Sequence, residues 1–171
     1  LPVPSWFCSA TLRLQLSRNL VPHFFHTTSI VAMDEWLRWV YLIYFVSHIP
    51  ITLCLDLQGV LPRVLYPEPI ADFFDWYADE FDDHLMRRGS TPLWLQSFLA
   101  CEGLLQLPFF FVATRALLQR QCSERVRAMF IVYGAHVATT VVPILADLLA
   151  AEKPVLAAVY CPYFLVPLSL A

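Results

Sequence analysis

The chain alternates long apolar runs with short charged connections. From Trp36 to Leu55 a single charge, Arg38, stands near the leading end. Between Leu93 and Leu118 only Glu102 and Arg115 are charged, while Ala128 to Ala146 and Pro154 to Ala171 carry no charge at all. About 20 apolar residues suffice to cross a hydrocarbon layer roughly 30 Å thick, so each run has close to the length of a membrane span. The pattern predicts an all-α polytopic membrane protein, a four-transmembrane-helix bundle with spans at about 36-56, 93-118, 128-148 and 154-171, the last expected to be truncated. The connection between the first two runs is patterned differently. Ile70, Phe73, Phe74, Tyr77 and Phe81 recur at helical spacing with Asp72, Asp75, Asp79, Asp82 and Asp83 between them, which predicts a short amphipathic helix. Interfacial membrane helices usually carry basic faces, so this acidic one reads as a cap packed on the bundle. Its acids lack the alternating ligand spacing of a calcium loop and read as a solvated face.

Composition agrees with the membrane class: of 171 residues 58% are apolar and 15% charged, and the mean hydropathy is +0.59. A net charge of −3 without a clustered basic surface excludes nucleic acid as a partner. The cysteines, Cys8, Cys54, Cys101, Cys122 and Cys161, form no metal-ligand spacing and read as small buried hydrophobes, so no metal or cofactor is expected. Residues 1-32 contain no Asp or Glu and carry Arg13 and Arg18 among Ser, Thr and His, a targeting-like composition. Because Met33 stands just before Asp34, Glu35 and Trp36, we read these residues as an N-terminal extension, or an upstream translation, outside the fold that starts at residue 34.

Positive residues in short flanks are retained on the cytosolic side. Arg115, Arg120, Arg125 and Arg127 crowd the second connection, which places that loop and the N-terminal end in the cytosol. The first connection is then lumenal.

Every span contains proline: Pro50, Pro108, Pro143, and both Pro162 and Pro167. Proline deletes a helical hydrogen bond and kinks the helix, and kinked helices open cavities. Polar residues recur along the same spans. Tyr44, His48 and Thr52 repeat every four residues, with Asp56 a turn beyond; Glu102 and Gln106 follow at i, i+4; Tyr133, His136 and Thr140 at i, i+3, i+7; and the last span offers Tyr160 and Tyr163. One such stripe is ordinary interhelical hydrogen bonding, but four converge on one bundle. At 1.5 Å per residue, Asp56 lies about 24 Å from the cytosolic side and Glu102 about 15 Å from the lumenal entry of its helix, so both occupy the lumenal half. An intramembrane acid is costly enough to be a functional hypothesis. Two carboxyls in one low-dielectric site share a proton and carry about one negative charge. Beneath aromatic walls, that charge suits a hydrophobic cationic amine or a sterol hydroxyl. A catalytic reading would make the same groups, with His48 or His136, proton donors and acceptors.

The run Y-F-V-S-H-I-P-I-T-L-C-L-D-L-Q-G-V-L-P, with W-Y-A-D-E-F-D-D, S-F-L-A-C-E-G-L-L-Q-L-P-F-F, Y-G-A-H-V-A-T-T-V-V-P-I-L and V-Y-C-P-Y-F-L-V-P following in order, resembles the sigma-2 receptor family. That family belongs to the EXPERA superfamily related to the emopamil-binding sterol isomerase, and the resemblance covers about residues 34 to 170. It implies a protein of the endoplasmic reticulum membrane that binds sterols and cationic amphiphiles in an intramembrane pocket. It places the amine-binding acid on Asp56, its hydrogen-bonded partner on Glu102 and a supporting lumenal acid on Asp83, with His48, Gln106, Tyr133, Thr140, Tyr160 and Tyr163 as pocket wall. Pro50 and His136 are expected to support the site. Beyond the small molecule and membrane lipid, partners expected are a sterol-transport or protein-import factor, since fungal relatives assist mitochondrial precursor delivery and animal ones cholesterol traffic, and a second copy of the chain. The reading is a non-catalytic binding protein; the alternatives are a sterol double-bond isomerase and a factor for mitochondrial precursor targeting from the endoplasmic reticulum surface.

Overall fold

The computed structural model describes residues 33–171; the extension expected over residues 1-32 lies outside them. Among the described residues every regular element is helical. Helix α1 (Glu35–Cys54) passes into a tight turn at Asp56–Gly59. A second turn, Arg63–Leu65, leads to α2 (Glu68–Glu80). Helices α3 (Leu93–Cys101) and α4 (Leu107–Gln119) are joined by a π-helical turn, Glu102–Gln106, and α5 (Glu124–Ala150) and α6 (Pro154–Leu168) complete the chain. Three units are long and apolar enough to cross a membrane, Glu35–Gly59, Leu93–Gln119 and Glu124–Ala150; α6 is apolar but shorter. The protein is a multi-pass membrane bundle.

Two apolar cores hold it together. At the end bearing the second connection, Phe45 sits completely buried among Phe109, Phe110, Phe130 and Tyr133, with ring centroids 5.3 to 5.9 Å away, locking α1 against α4 and α5. Arg38 is buried there too, and its guanidinium donates to the Leu117 carbonyl at 3.3 Å, near the end of α4, where carbonyls lack helical partners. At the other end Phe74, Leu85 and Met86 pack with Leu95 and Leu99 of α3, Ile144 and Leu148 of α5, and Leu156 and Ala157 of α6. Helices α5 and α6 form a hairpin whose backbones meet at Gly134, where a Cβ would stand 2.5 Å from the Pro167 carbonyl oxygen.

The cap differs from the periodicity of its sequence. Helix α2 buries Ala71, Phe74 and Ala78, whereas Phe73 and Trp76 are half exposed and stack on each other at 5.5 Å, and Phe81 is exposed. Two alanines are small enough to let α2 lie close on the bundle, and the bulkier Phe73 and Phe81 turn outward. Its acids are largely ion-paired instead of simply solvated: Arg63 reaches Asp72 and Asp75, Arg88 reaches Asp75 at 2.5 Å, and Arg87 reaches Asp79 and Asp82 at 3.2 and 3.4 Å.

Candidate functional site

Between the two cores lies a cavity of about 200 Å³. Helix α1 contributes Tyr44, His48 and Ile51, with Leu55 and Asp56 just beyond it; α2 and the following loop contribute Phe74, Tyr77 and Met86; the α3 unit contributes Leu95, Phe98, Leu99, Glu102 and Gln106. Tyr133, Val137, Thr140, Val141 and Ile144 come from α5, and Val159, Tyr160 and Tyr163 from α6. The cavity therefore brings together Asp56, Glu102, His48, Gln106, Tyr133, Thr140, Tyr160 and Tyr163, the eight side chains that the sequence nominates for a ligand.

The remaining three lie elsewhere. Pro50 is exposed, because 100° per residue puts it roughly opposite His48 on α1. His136 stands at the edge of the Tyr133, Val137 and Thr140 face of α5, about 60° from Tyr133 and about 100° from Val137, and is not among the residues lining the cavity; its Nε2 is buried without a hydrogen-bond partner. Asp83 is fully buried behind the wall. One carboxylate oxygen accepts the backbone N–H groups of Leu85 and Met86 at 3.0 and 3.1 Å, and the other accepts the Tyr160 hydroxyl at 3.3 Å. Asp83 thus shapes the cap loop and ties it to a cavity residue without touching the cavity.

The two intramembrane acids meet. Asp56 and Glu102 stand together in the cavity wall, close enough for their carboxyls to interact, and two carboxyls in contact require one proton between them. Two glycines leave room beside this contact: a Cβ at Gly103 would stand 2.7 Å from the Leu57 side chain, and one at Gly59 2.6 Å from the Leu99 side chain. These glycines let the Asp56–Gly59 turn nest against the α3 unit. The π turn itself follows from Pro108, which cannot donate to the Leu104 carbonyl; the ladder adjusts, and Leu107 N–H bonds the Glu102 carbonyl instead.

The aromatic side of the cavity is ordered as well. The hydroxyls of Tyr44 and Tyr133 hydrogen-bond at 3.0 Å, and His48 Nδ1 donates to the Tyr44 carbonyl at 2.7 Å, which leaves Nε2 as an acceptor. The His48 ring lies 4.0 Å from Tyr44 and 4.9 Å from Tyr163 by centroid, so it is packed as a wall. Burial pushes the Tyr77 phenol up to about 12, which keeps it a neutral hydroxyl at the cap. Sequence reasoning missed Phe74, Tyr77 and Met86, because they reach the cavity only once the first connection folds back over the bundle. It also missed the π turn, for which Gly103 followed by Pro108 is the available signal.

The family described as EXPERA (EXPanded EBP superfamily) matches residues 69–171. Sigma intracellular receptor 2 of Xenopus tropicalis is 45% identical over 148 residues, 78% of this chain and 85% of the relative. The Homo sapiens protein of that name is 42% identical over 156 residues, 81% of this chain and 87% of its own. Efficient mitochondria targeting-associated protein 19 of Saccharomyces cerevisiae is 32% identical over 153 residues, 76% and 92% of the two chains. The chain belongs to the EXPERA superfamily and, within it, to the sigma-2 receptor family.

Proposed function

We propose that the protein is a non-catalytic receptor of the endoplasmic reticulum membrane that binds a sterol or cationic amphiphile in the cavity and thereby regulates sterol or precursor-protein traffic. One observation carries the reading: the carboxyls of Asp56 and Glu102 stand together in the wall of a mainly apolar and aromatic cavity. Two carboxyls sharing a proton leave one negative charge, which an amine neutralises while its hydrocarbon lies against Phe98, Val137 and Val159. A sterol would use its hydroxyl at the same place. Relatives named as receptors support binding over catalysis, and the fungal relative named for mitochondrial targeting supports a role in traffic. In this reading the second connection faces the cytosol and the α2 cap the lumen, in line with Arg115, Arg120, Arg125 and Arg127 flanking the former.

The acid pair also motivates an isomerase-like reading in which it moves a proton on a sterol double bond. Purified protein in nanodiscs discriminates the two. Asp56→Asn should lower affinity for a radiolabelled tertiary-amine amphiphile about ten- to a hundredfold, the scale of losing a charged hydrogen-bonded partner. Undiminished affinity in that variant removes the counter-ion role, and turnover of an unsaturated sterol by the wild-type chain replaces binding with catalysis.

A further inference from the structure

Hydroxyls in apolar helices usually bond back to their own helix, and several in this chain follow that habit. Ser47 donates to the Tyr44 carbonyl, Ser97 to Trp94, Thr139 to His136 and Thr140 to Val137. Thr52 departs from it. It is completely buried on the inner face of α1, one turn before Asp56, and its hydroxyl donates at 2.5 Å to Glu102 Oε1 on the α3 unit. Thr52 itself is absent from the cavity wall, so it would not touch a bound molecule.

We infer that Thr52 is the positioning residue of the acid pair, fixing the Glu102 carboxyl so that Glu102 meets Asp56 and the shared charge faces the cavity. Glu102 sits at the first position of a π turn, where the ladder is irregular and the backbone alone does not dictate the side chain's direction. A carboxyl on a long side chain has several rotamers, and holding it from both sides, by Thr52 and by Asp56, selects one of them. Since Thr52 lies on the same helix as the turn carrying Asp56, α1 sets both halves of the pair at once. The inference rests on the proposed amine-binding role of that pair.

The test uses the full chain in nanodiscs with two probes, tritiated N,N-dimethylhexadecylamine and tritiated cholesterol. Thr52→Val keeps the side chain's shape and removes its hydroxyl; it should weaken amine binding roughly tenfold, the worth of one hydrogen bond to a charged group. Thr52→Ser restores the hydroxyl and should bind the amine within a fewfold of wild type. Cholesterol, whose hydroxyl needs a hydrogen bond from the pair but no oriented charge, should lose clearly less affinity than the amine in Thr52→Val and little in Thr52→Ser. Infrared spectra should show the carboxylic carbonyl band of the pair displaced in Thr52→Val and restored in Thr52→Ser. Wild-type amine affinity in Thr52→Val, failure of Thr52→Ser to rescue, or equal loss of both probes overturns the positioning role. Asp56→Asn run in parallel separates the two ideas: if it binds the amine normally, the receptor reading fails whatever Thr52 does.

Discussion

Asp83 shows how a single carboxyl can matter to a site that it does not touch. Burial raises it above the usual carboxylate range, against the pull of the Leu85 and Met86 amides. A carboxyl that holds its proton more tightly folded than unfolded contributes most below the ordinary carboxylate pKa, and its contribution falls as pH climbs through the interval up to the raised value. Exposed Asp82 slopes the other way: beside Lys153 it is held below the usual range, and what it contributes is lost as pH falls. Thermal unfolding in detergent followed by tryptophan fluorescence should separate them. Asp83→Asn keeps an oxygen for both amides and cannot ionise, so it should flatten the decline above the carboxylate range. Asp83→Ala orphans two buried amides and should cost about 2 kcal/mol or more at every pH. Equal pH profiles for Asp83→Asn and wild type would show that the carboxyl does not titrate in the native cap.

At the scale of elements, much of the site was legible because the spans repeat polar residues at helical spacing, and a costly intramembrane acid needs a partner. Asp56 and Glu102 are such a pair. Spacing alone put His136 on the stripe of α5 without saying that it stops short of the cavity, and it misjudged α2, where volume at Ala71 and Ala78 decided which side could approach the bundle. Thr52 was visible as a member of the α1 stripe, but its partner could not be read without the fold. Glycine roles were hidden for the same reason, as they depend on what comes near. Gly134 gives the clearest test: a methyl there meets the Pro167 carbonyl, which cannot move without displacing the last turn of α6, and the Leu170 Cβ just beyond it. Gly134→Ala should cost roughly 1 to 3 kcal/mol, the range for overpacking, read as a lowered unfolding temperature. Ala135→Leu, on the exposed side of the same turn, should leave it unchanged.

Across the whole molecule, the cavity lies between a rigid aromatic core and a cap held by groups of unequal strength. Phe74, Tyr77 and Met86 cover it from the first connection, and that connection reaches the α5–α6 corner at three points: Lys153 to Asp82, His84 to Asp147 at 2.6 Å, and Tyr160 to Asp83. The first two are substantially exposed, and such pairs contribute little to stability, about 0 to 1 kcal/mol each. Their effect should therefore appear in rates. A cap that opens more often admits and releases a molecule faster in equal proportion, leaving the equilibrium constant nearly fixed. Combining Asp147→Asn with Lys153→Met should raise both association and dissociation rates of a tertiary-amine probe severalfold in surface-captured nanodiscs, with affinity altered by less than about threefold. If dissociation is unchanged while Thr52→Val still weakens binding, the molecule enters past α6, where Val159 lines the cavity and stays 42% exposed, and the cap is a fixed roof.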